Sequence, residues 1–367
     1  QAQRGVEILA QASGDIDSSA VERSKSVGFN MGQVYAFADW SPRAIASVQQ
    51  DTSIVSSGDI RVQAWINHLA DGQQDDDREI NLNAWSNGGA LFAGRHSYAM
   101  AKIAPEAWSL VKSGAELTAN HDILVSARSH SYLDGKSNTR LFGLAGESFA
   151  TTLVNVWIST RAEILDSSTP SVLNAGDDID IDSYTNWEGI AFAKAKAPTP
   201  LAIRESQAYV RNYEIDTLSR VGTDNQLTAG HDITVFAYKY SADCVAIAEV
   251  VLGWSGAQVD NFYVPTTADV DSSSTLNVGN LHSATAQGID PIRSTARAII
   301  QDDRRVSDED YQQLVAGGHI GARAATSTRA DIHAGFDPGA KVSGGKTQVV
   351  SELKLLKSKA EAKFQTK

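Results

Sequence analysis

One phrase recurs along the chain and constrains its fold more than any other feature. It consists of two short alternating segments joined by a three-residue corner that ends in Asp. Full copies occupy residues 54–64, 117–127, 173–183 and 227–237, and half a copy occupies residues 79–84. Because a fixed phrase repeated along one chain indicates stacked supersecondary units, the sequence predicts a repeat architecture.

Within each copy, apolar side chains alternate at period two on both sides of the corner. In the second full copy, Leu117 and Ala119 precede the corner, and Ile123, Val125 and Ala127 follow it. This period is typical of strands with one buried face. We interpret the Gly or Asn at each corner as a residue that accepts a left-handed backbone, and the corner Asp as an acceptor for backbone amides there.

The corner acidic residues set the expected size of the repeat. They are Asp15, Asp59, Glu79, Asp122, Asp178 and Asp232. The shortest step, 20 residues from Asp59 to Glu79, matches one coil of a parallel β-helix, and the other steps are close to two or three coils. We predict a parallel β-helix over residues 1–300, with about 15 coils and a length of roughly 70 Å. Antiparallel β-sandwich repeats are the alternative, although they predict more Asn-Gly and Asp-Gly turns than the chain contains.

The acidic balance of the chain limits its partners. The sequence has 32 Lys and Arg against 44 Asp and Glu, a formal net charge of −12. Because nucleic-acid binding needs concentrated Lys and Arg, we expect no nucleic-acid partner. No apolar stretch approaches the length of a bilayer span, so we expect no membrane insertion. The single cysteine, Cys244, excludes an intramolecular disulfide, and we expect a buried, inert thiol, with a reactive thiol as the alternative.

The run of leucine, small residue, Gly or Asn, Asp-Ile and alternating apolar positions resembles the repeats of filamentous-haemagglutinin-type adhesins, the giant exported surface proteins of Gram-negative bacteria. The Ala-rich and Val-rich segments between the copies are similar to that group as well, and the resemblance covers about residues 5–300. It implies a right-handed parallel β-helix, displayed outside the cell in a long fibre, with no catalytic residues. We therefore expect a secreted or cell-surface chain whose partners are glycans or cell-surface proteins.

A column of planar side chains is the main candidate for function. Six positions beyond the corner acidic residues from Asp59 onward are Trp65, Trp85, Arg128, Tyr184 and Tyr238, and two positions further are Asn67, Asn87, His130, Asn186 and Tyr240. Period-two register places the first set on the outer face. Aromatic rings cover the apolar face of a pyranose and amides meet its hydroxyls, which predicts a glycan-binding stripe. The alternative is an aromatic and Asn ladder that only steadies the stack. The candidate ligand-binding residues are Trp65, Asn67, Trp85, Asn87, Tyr184, Asn186 and Tyr238.

Acidic residues offer two further interpretations. Asp178, Asp180 and Asp182 alternate along one predicted strand, where they form a solvated acidic face or recruit calcium. Polysaccharide lyases and inverting glycosidases also use parallel β-helices, with paired carboxylates as acid and base. No particular pair stands out among the 44 acidic residues, and no nucleophile elbow, phosphate-binding loop or zinc helix occurs. We therefore expect no enzyme, metal or cofactor, with a polysaccharide-degrading enzyme as an alternative.

The pattern changes near residue 300. Residues 301–345 contain a charged run and two Gly pairs, and we expect loops and a degenerate last coil there. Over residues 346–367, apolar residues recur at three-to-four spacing among lysines, which predicts a basic amphipathic α-helix. These apolar residues are Val349, Leu353, Leu356, Ala360 and Phe364. We expect the helix to cap the open end of the stack, to dock onto the acidic body of another copy, or to lie on a membrane surface.

Together these features predict an extracellular β-helical segment of a bacterial adhesin or surface fibre, which acts as a scaffold and binds glycans. A self-assembling filament subunit with the same fold is the first alternative, and a polysaccharide lyase or glycosidase is the second. The filament requires association between copies of the chain, whereas the enzyme requires a catalytic pair of carboxylates.

Overall fold

The protein, examined as a computed structural model, is all-β. The structure describes residues 5–69, 72–166, 168–197, 201–251, 253–263, 265–271, 273–278, 283–301, 321–327, 331–336, 341–343 and 346–365. These residues form 25 strands and no helix, so none of them belongs to a helix that is long and apolar enough to cross a membrane.

The strands form three sheets, which we call the front, back and corner sheets. The front sheet contains β1 (Val6–Ala12), β2 (Ile16–Lys25), β6 (Ile60–Ile66), β7 (Ile80–Gly89), β11 (Ile123–Phe142), β14 (Ile179–Lys196), β17 (Ile233–Val251), β21 (Ser283–Gln301) and β25 (Lys346–Gln365). The back sheet contains β3 (Phe29–Trp40), β4 (Arg43–Val48), β8 (Phe92–Ile103), β9 (Glu106–Val111), β12 (Ala145–Ile164), β15 (Leu201–Val221), β18 (Trp254–Asn261), β19 (Pro265–Val270), β22 (Gly321–Ser327) and β23 (Asp331–Phe336). The corner sheet contains β5 (Ser53–Ser56), β10 (Glu116–Ala119), β13 (Val172–Ala175), β16 (Gln226–Ala229), β20 (Thr275–Asn277) and β24 (Lys341–Ser343).

The chain visits the sheets in a constant order: front, then back, then corner. Every pairing between these strands is parallel, and the repeated phrases align with one another in the corner and front sheets. The prediction of parallel strands is therefore confirmed, and the antiparallel sandwich alternative is wrong. The one antiparallel bridge in the described ranges joins His68 and Gln74 within a loop.

One passage through the three sheets uses more chain than the sequence spacing indicated. Asp122 and Asp178 lie in neighbouring levels and are 56 residues apart, and Asp178 and Asp232 are 54 apart. The 20-residue step from Asp59 to Glu79 is not a level, because β6 and β7 lie end to end and both pair with the single strand β11. The expected coil of about 20 residues is therefore wrong.

The molecule is consequently wide and shallow rather than a long rod. The front sheet has seven levels, in the order β1-β6-β11-β14-β17-β21-β25. At about 4.8 Å between strands, these levels span about 29 Å, well short of the expected 70 Å. A 20-residue strand such as β11, by contrast, extends about 66 Å across the stack.

The core between the front and back sheets is thin because its inward residues are mainly Ala, Val, Ser and Thr. Hydroxyl groups meet across it: Ser183 Oγ lies 2.8 Å from Ser219 Oγ, and Thr217 Oγ1 donates to Thr185 Oγ1 at 2.8 Å. These contacts satisfy polar groups that would otherwise be costly to bury. Cys244 is buried in the same core, as expected.

The corner aspartates hold successive levels together. The Asp178 amide donates to Asp122 Oδ1 at 3.1 Å, the Asp232 amide to Asp178 Oδ1 at 2.9 Å, and the Ser283 amide to Asp232 Oδ1 at 2.6 Å. The predicted acceptor role is present, but each carboxylate serves the amide of the next level. The corner Asp is therefore a stacking contact as well as a turn residue.

The corner glycines are required for a different reason from the one predicted. Gly176 and Gly230 do not adopt the left-handed backbone conformation. A Cβ at Gly176 would instead lie 2.0 Å from the carbonyl oxygen of Asn120, and a Cβ at Gly230 would lie 2.0 Å from that of Gly176. Close approach between levels therefore selects glycine at these corners.

The predicted C-terminal α-helix over residues 346–367 is wrong. Lys346–Gln365 forms β25, which pairs in parallel with β21 along its length. From residue 356 the sequence also alternates small or apolar residues with charged ones, as in Leu356, Ser358 and Ala360 against Lys357 and Lys359. Both periods fit this segment, and the open edge of β21 favours the strand because it supplies partners for the backbone groups on one side of β25.

Strands also continue through the segment that we expected to form loops. Within residues 301–345, β22 and β23 pair with back-sheet strands β18 and β19, and β24 pairs with β20 in the corner sheet. The expected degenerate last coil around Asp331 thus coincides with β23. The charged run at residues 302–310 lies outside the described residues.

Candidate functional site

The predicted column of planar side chains is present on the outer face of the front sheet. Trp65, Arg128, Tyr184 and Tyr238 are register partners on β6, β11, β14 and β17. Arg128 Cζ lies 5.1 Å from the ring centroid of Tyr184, and the rings of Tyr184 and Tyr238 are 6.1 Å apart at 71°. From Arg128 to Tyr238 the column therefore forms a series of cation–π and edge-to-face contacts.

Trp85 and Asn87 belong to another part of the front sheet. Trp85 is the register partner of Val21 and Asn138. It lies on β7, end to end with β6, so it does not stack on Trp65. A single column that includes Trp65 and Trp85 is therefore wrong, because the 20-residue step runs along the sheet and not up it.

The segment between β6 and β7 covers the Trp65 end of the column. Gly72, at a φ of 81°, brings its backbone so close that a Cβ there would lie 3.4 Å from the Trp65 ring. The Gly72 carbonyl accepts a hydrogen bond from Arg128 Nη1 at 3.0 Å. Trp65 is only 4% exposed as a result. The loop thus buries Trp65, the first ring of the column.

The side chain of Asn67 also forms its hydrogen bonds within the protein. It is 2% exposed and has a left-handed backbone with a φ of 52°. Its Oδ1 accepts from the Gly14 amide at 3.1 Å, and its Nδ2 donates to the His130 carbonyl at 3.2 Å. Asn67 therefore joins three levels of the front sheet where the loop departs, and its amide is not presented to solvent.

A cavity of about 280 Å³ lies between this loop and the front sheet. His68 and Gln74 line it from the loop, and Arg128, Tyr184 and Asn186 line it from the sheet. It forms where β6 has ended and β7 has not begun, opposite residues 130–132 of β11. We call this cavity the loop pocket. His68 and Gln74 were not predicted from the sequence, although Gly72 and the polar run of residues 72–78 signal a loop there.

Several polar atoms around the loop pocket are buried without a hydrogen-bond partner in the described ranges. They are Arg128 Nε, His130 Nδ1, Asn186 Oδ1 and Trp65 Nε1. Asn186 uses its other polar atom, since its Nδ2 donates to Gln74 Oε1 at 2.8 Å. Unsatisfied buried donors and acceptors are costly, so each of these atoms calls for a partner such as a water molecule or a polar ligand group.

Burial keeps most of the loop pocket uncharged near neutral pH. It lowers the pKa of His130 to about 4, with the neighbouring His68 adding to the effect, and it lowers the pKa of His68 as well. It raises the pKa of Tyr184 to about 12, and that of Asp182 to about 6. The Arg128 guanidinium lies 3.9 Å from the Asp182 carboxylate. The pocket therefore combines neutral donors and acceptors with one balanced ion pair.

The three alternating aspartates do not form a cluster. Asp178 is a corner residue bonded to the next level, and Asp182 is buried beside Arg128. Burial, together with repulsion from Asp178, raises the pKa of Asp180. In the part of the chain that the structure describes, no group of three His, Cys, Asp or Glu residues is placed to hold a metal ion.

Comparison with known proteins finds no matching family, no matching curated protein and no matching solved structure.

Proposed function

We propose that this chain is a non-catalytic, extracellular scaffold that binds neutral glycans through the loop pocket. In this proposal the three parallel sheets are the faces of a right-handed β-helix, similar to those of filamentous-haemagglutinin-type surface fibres. The constant order of front, back and corner strands supports the β-helix. The observation that carries the glycan function is the loop pocket, in which an aromatic ring borders unsatisfied polar atoms.

The chemistry of the loop pocket suits a neutral sugar. Tyr184 borders the pocket with an aromatic ring, and Asn186, Gln74 and His68 line it with amide and imidazole groups that can meet hydroxyls. Arg128 lines the pocket and its guanidinium lies 3.9 Å from the Asp182 carboxylate, so a charged ligand gains little there. A volume of about 280 Å³ is at the small end of ligand sites, which favours one sugar ring at the end of a glycan.

A glycan array followed by calorimetry tests this proposal. We expect Tyr184→Ala to weaken binding of the best neutral glycan by about tenfold, equivalent to about 1.4 kcal/mol. Asn186→Ala should act in the same direction. Tyr213→Ala is the matched control, because Tyr213 lies on the back sheet, stacked 4.7 Å from Trp157. Unchanged binding by the Tyr184 variant, or an equal loss in the Tyr213 variant, would refute the assignment.

The non-catalytic part of the proposal has its own test. The intact chain is incubated with neutral and acidic polysaccharides, and reducing ends and unsaturated products are assayed. We expect neither product to accumulate above its level in a control incubation with buffer alone. Release of either product, abolished by replacing a buried carboxyl such as Glu163 or Asp216, would overturn the proposal and favour a β-helical lyase or glycosidase.

A self-assembling filament subunit is the second candidate, and the first level of the back sheet favours it. On β3, Phe29 is 72% exposed and Met31, Tyr35 and Phe37 are 58–59% exposed. Among the described strands β3 pairs only with β8, so its other edge is open. Open edges beside exposed apolar rings promote association. Sedimentation and electron microscopy of the wild type and Phe37→Lys test it: concentration-dependent filaments lost in the variant support this candidate, and monomers at every concentration exclude it.

A further inference from the structure

A group of basic side chains lies on the outer face of the front sheet, far along the strands from the loop pocket. It surrounds Trp85 and consists of Arg23, Lys136, Arg140, Lys194 and Lys196. We call these residues, with Trp85, the cationic patch. They come from four strands, β2, β7, β11 and β14, that are neighbours only in the folded stack.

The register of the front sheet brings these cations into adjoining columns. Arg23, Asn87, Arg140 and Lys196 are successive register partners in one column. Trp85, Asn138 and Lys194 are successive partners in the next. The columns are separated by about 6.6 Å along the strands, and the levels by about 4.8 Å.

Arg140 and Lys196 lie directly opposite each other on neighbouring strands. Like charges placed opposite one another in a sheet are destabilising, so the stack gains nothing from this arrangement by itself. An anion bound between the two side chains would remove the repulsion. The same column contains no carboxylate at the four positions from Arg23 to Lys196.

The cationic patch encloses a groove of about 390 Å³. Trp85, Lys136, Arg140 and Lys194 line it, together with the amides of Asn83 and Asn138. Arg23 Cζ lies 5.0 Å from the ring centroid of Trp85, which holds the indole in place by a cation–π contact. The groove therefore combines an aromatic surface, two amides and several cations.

Charge in and around the patch is unbalanced. Lys136 pairs with Asp134, and Lys194 pairs with Glu249. Arg23 and Arg140 make no ion pair with any carboxylate in the described part of the chain. The chain as a whole carries a net charge of −12. A local excess of cations attracts anions to the patch, and the acidic remainder of the molecule repels them elsewhere.

We propose that the cationic patch binds an acidic polysaccharide, with its carboxylate or sulfate groups at the Arg and Lys side chains and a sugar ring on Trp85. The amides of Asn83 and Asn138 meet its hydroxyls. A nucleic acid fits less well, because a single ring offers only one stacking position for its bases. This site is separate from the loop pocket and does not depend on its function.

Calorimetric titration of the full chain with polygalacturonate, heparin, neutral dextran and single-stranded DNA tests the proposal. We expect both acidic polysaccharides to bind, and dextran neither to displace them nor to compete with them for the cationic patch. Tighter binding of polygalacturonate identifies carboxylate as the preferred group, and tighter binding of heparin identifies sulfate; either result supports the proposal. Binding should weaken steeply with added salt, since release of counterions drives it. DNA binding that is tighter than both polysaccharides would overturn it.

The double variant Arg23→Ser/Arg140→Ser removes two exposed cations and should weaken binding at least tenfold with a shallower salt dependence. Trp85→Ala should weaken binding as well. The matched control is Arg43→Ser, because Arg43 is also exposed to solvent and lies 5.4 Å over the Trp108 ring on the back sheet. Wild-type affinity in the double variant, or an equal loss in the control, would overturn the proposal. Tyr184→Ala should leave this binding unchanged.

Discussion

Asp182 has a carboxyl group whose ionisation the fold opposes. The residue is 9% exposed, and its nearest cation, Arg128, is 3.9 Å away. Burial raises its pKa from 3.8 to about 6, and the attraction of Arg128 offsets only part of this effect. The folded state therefore holds a proton between about pH 4 and 6 that the unfolded chain releases, so this group lowers stability as pH rises. At 1.36 kcal/mol per pH unit, the penalty reaches about 3 kcal/mol above pH 6.

Asp182→Asn removes this penalty while keeping the shape of the side chain. We expect the variant to be more stable than the wild type by about 2 to 3 kcal/mol at pH 7.5, and by less than about 1 kcal/mol at pH 4. Urea unfolding at four pH values between 4 and 7.5 measures the difference. A difference that is constant with pH, or a less stable variant at pH 7.5, would refute the reasoning.

The stability of Asp182→Asn must be compared with that of the wild type at each pH, because a second buried group, His130, changes stability with pH in the opposite direction. Burial lowers the pKa of His130 to about 4. Below pH 6.5 the unfolded chain binds a proton that folded His130 does not, so its contribution lowers stability as pH falls toward 4. The two effects offset each other in the wild type. Subtracting the wild-type curve isolates Asp182, and Asp39→Asn at an exposed position on β3 controls for the loss of one charge.

Two further substitutions test the packing of the stack by urea unfolding at pH 7.5. Gly176→Ala should lower the free energy of unfolding by about 1 to 3 kcal/mol, because the added Cβ would lie 2.0 Å from the Asn120 carbonyl oxygen. Gly28→Ala is its control, because a Cβ at Gly28 would have no atom within 4 Å. This control should change the free energy of unfolding by less than about 0.5 kcal/mol. Glu22→Gln should cost about 3 kcal/mol, since it leaves the fully buried Arg95 guanidinium without the carboxylate 2.6 Å away. An unchanged unfolding midpoint in either variant would contradict the corresponding contact.

The parallel stacking was predictable because the repeated phrase carries its own register. Leu117, Leu173 and Leu227 align in the corner sheet, as do Ile123, Ile179 and Ile233 in the front sheet. The size of a level was not predictable from spacing alone, because two short strands laid end to end give the same sequence signal as two strands stacked. The segment from Lys346 fits both helical and strand periods, and only the neighbouring strand edge distinguishes them.

The candidate sites were predictable only where they follow the phrase. The column from Trp65 to Tyr238 was found because its members share one offset from the corner Asp. The cover over Trp65 was not, because it depends on how the loop around Gly72 folds back. The cationic patch was not predicted either. Lys194 and Lys196 nevertheless follow Asn138 and Arg140 by 56 residues, the same interval that separates Asp122 and Asp178.

The corner aspartates make the stack modular in its length. In the levels that begin at Asp122, Asp178 and Asp232, the corner carboxylate holds the amide of the following level, so Asp178 and Asp232 offer the same attachment that they receive. Unequal recombination between two copies of the phrase would therefore delete or duplicate about 55 residues as a unit and leave every remaining level with an intact neighbour. A gene of this kind is expected to vary in length by whole levels, and a single level is the natural unit for engineering shorter or longer forms.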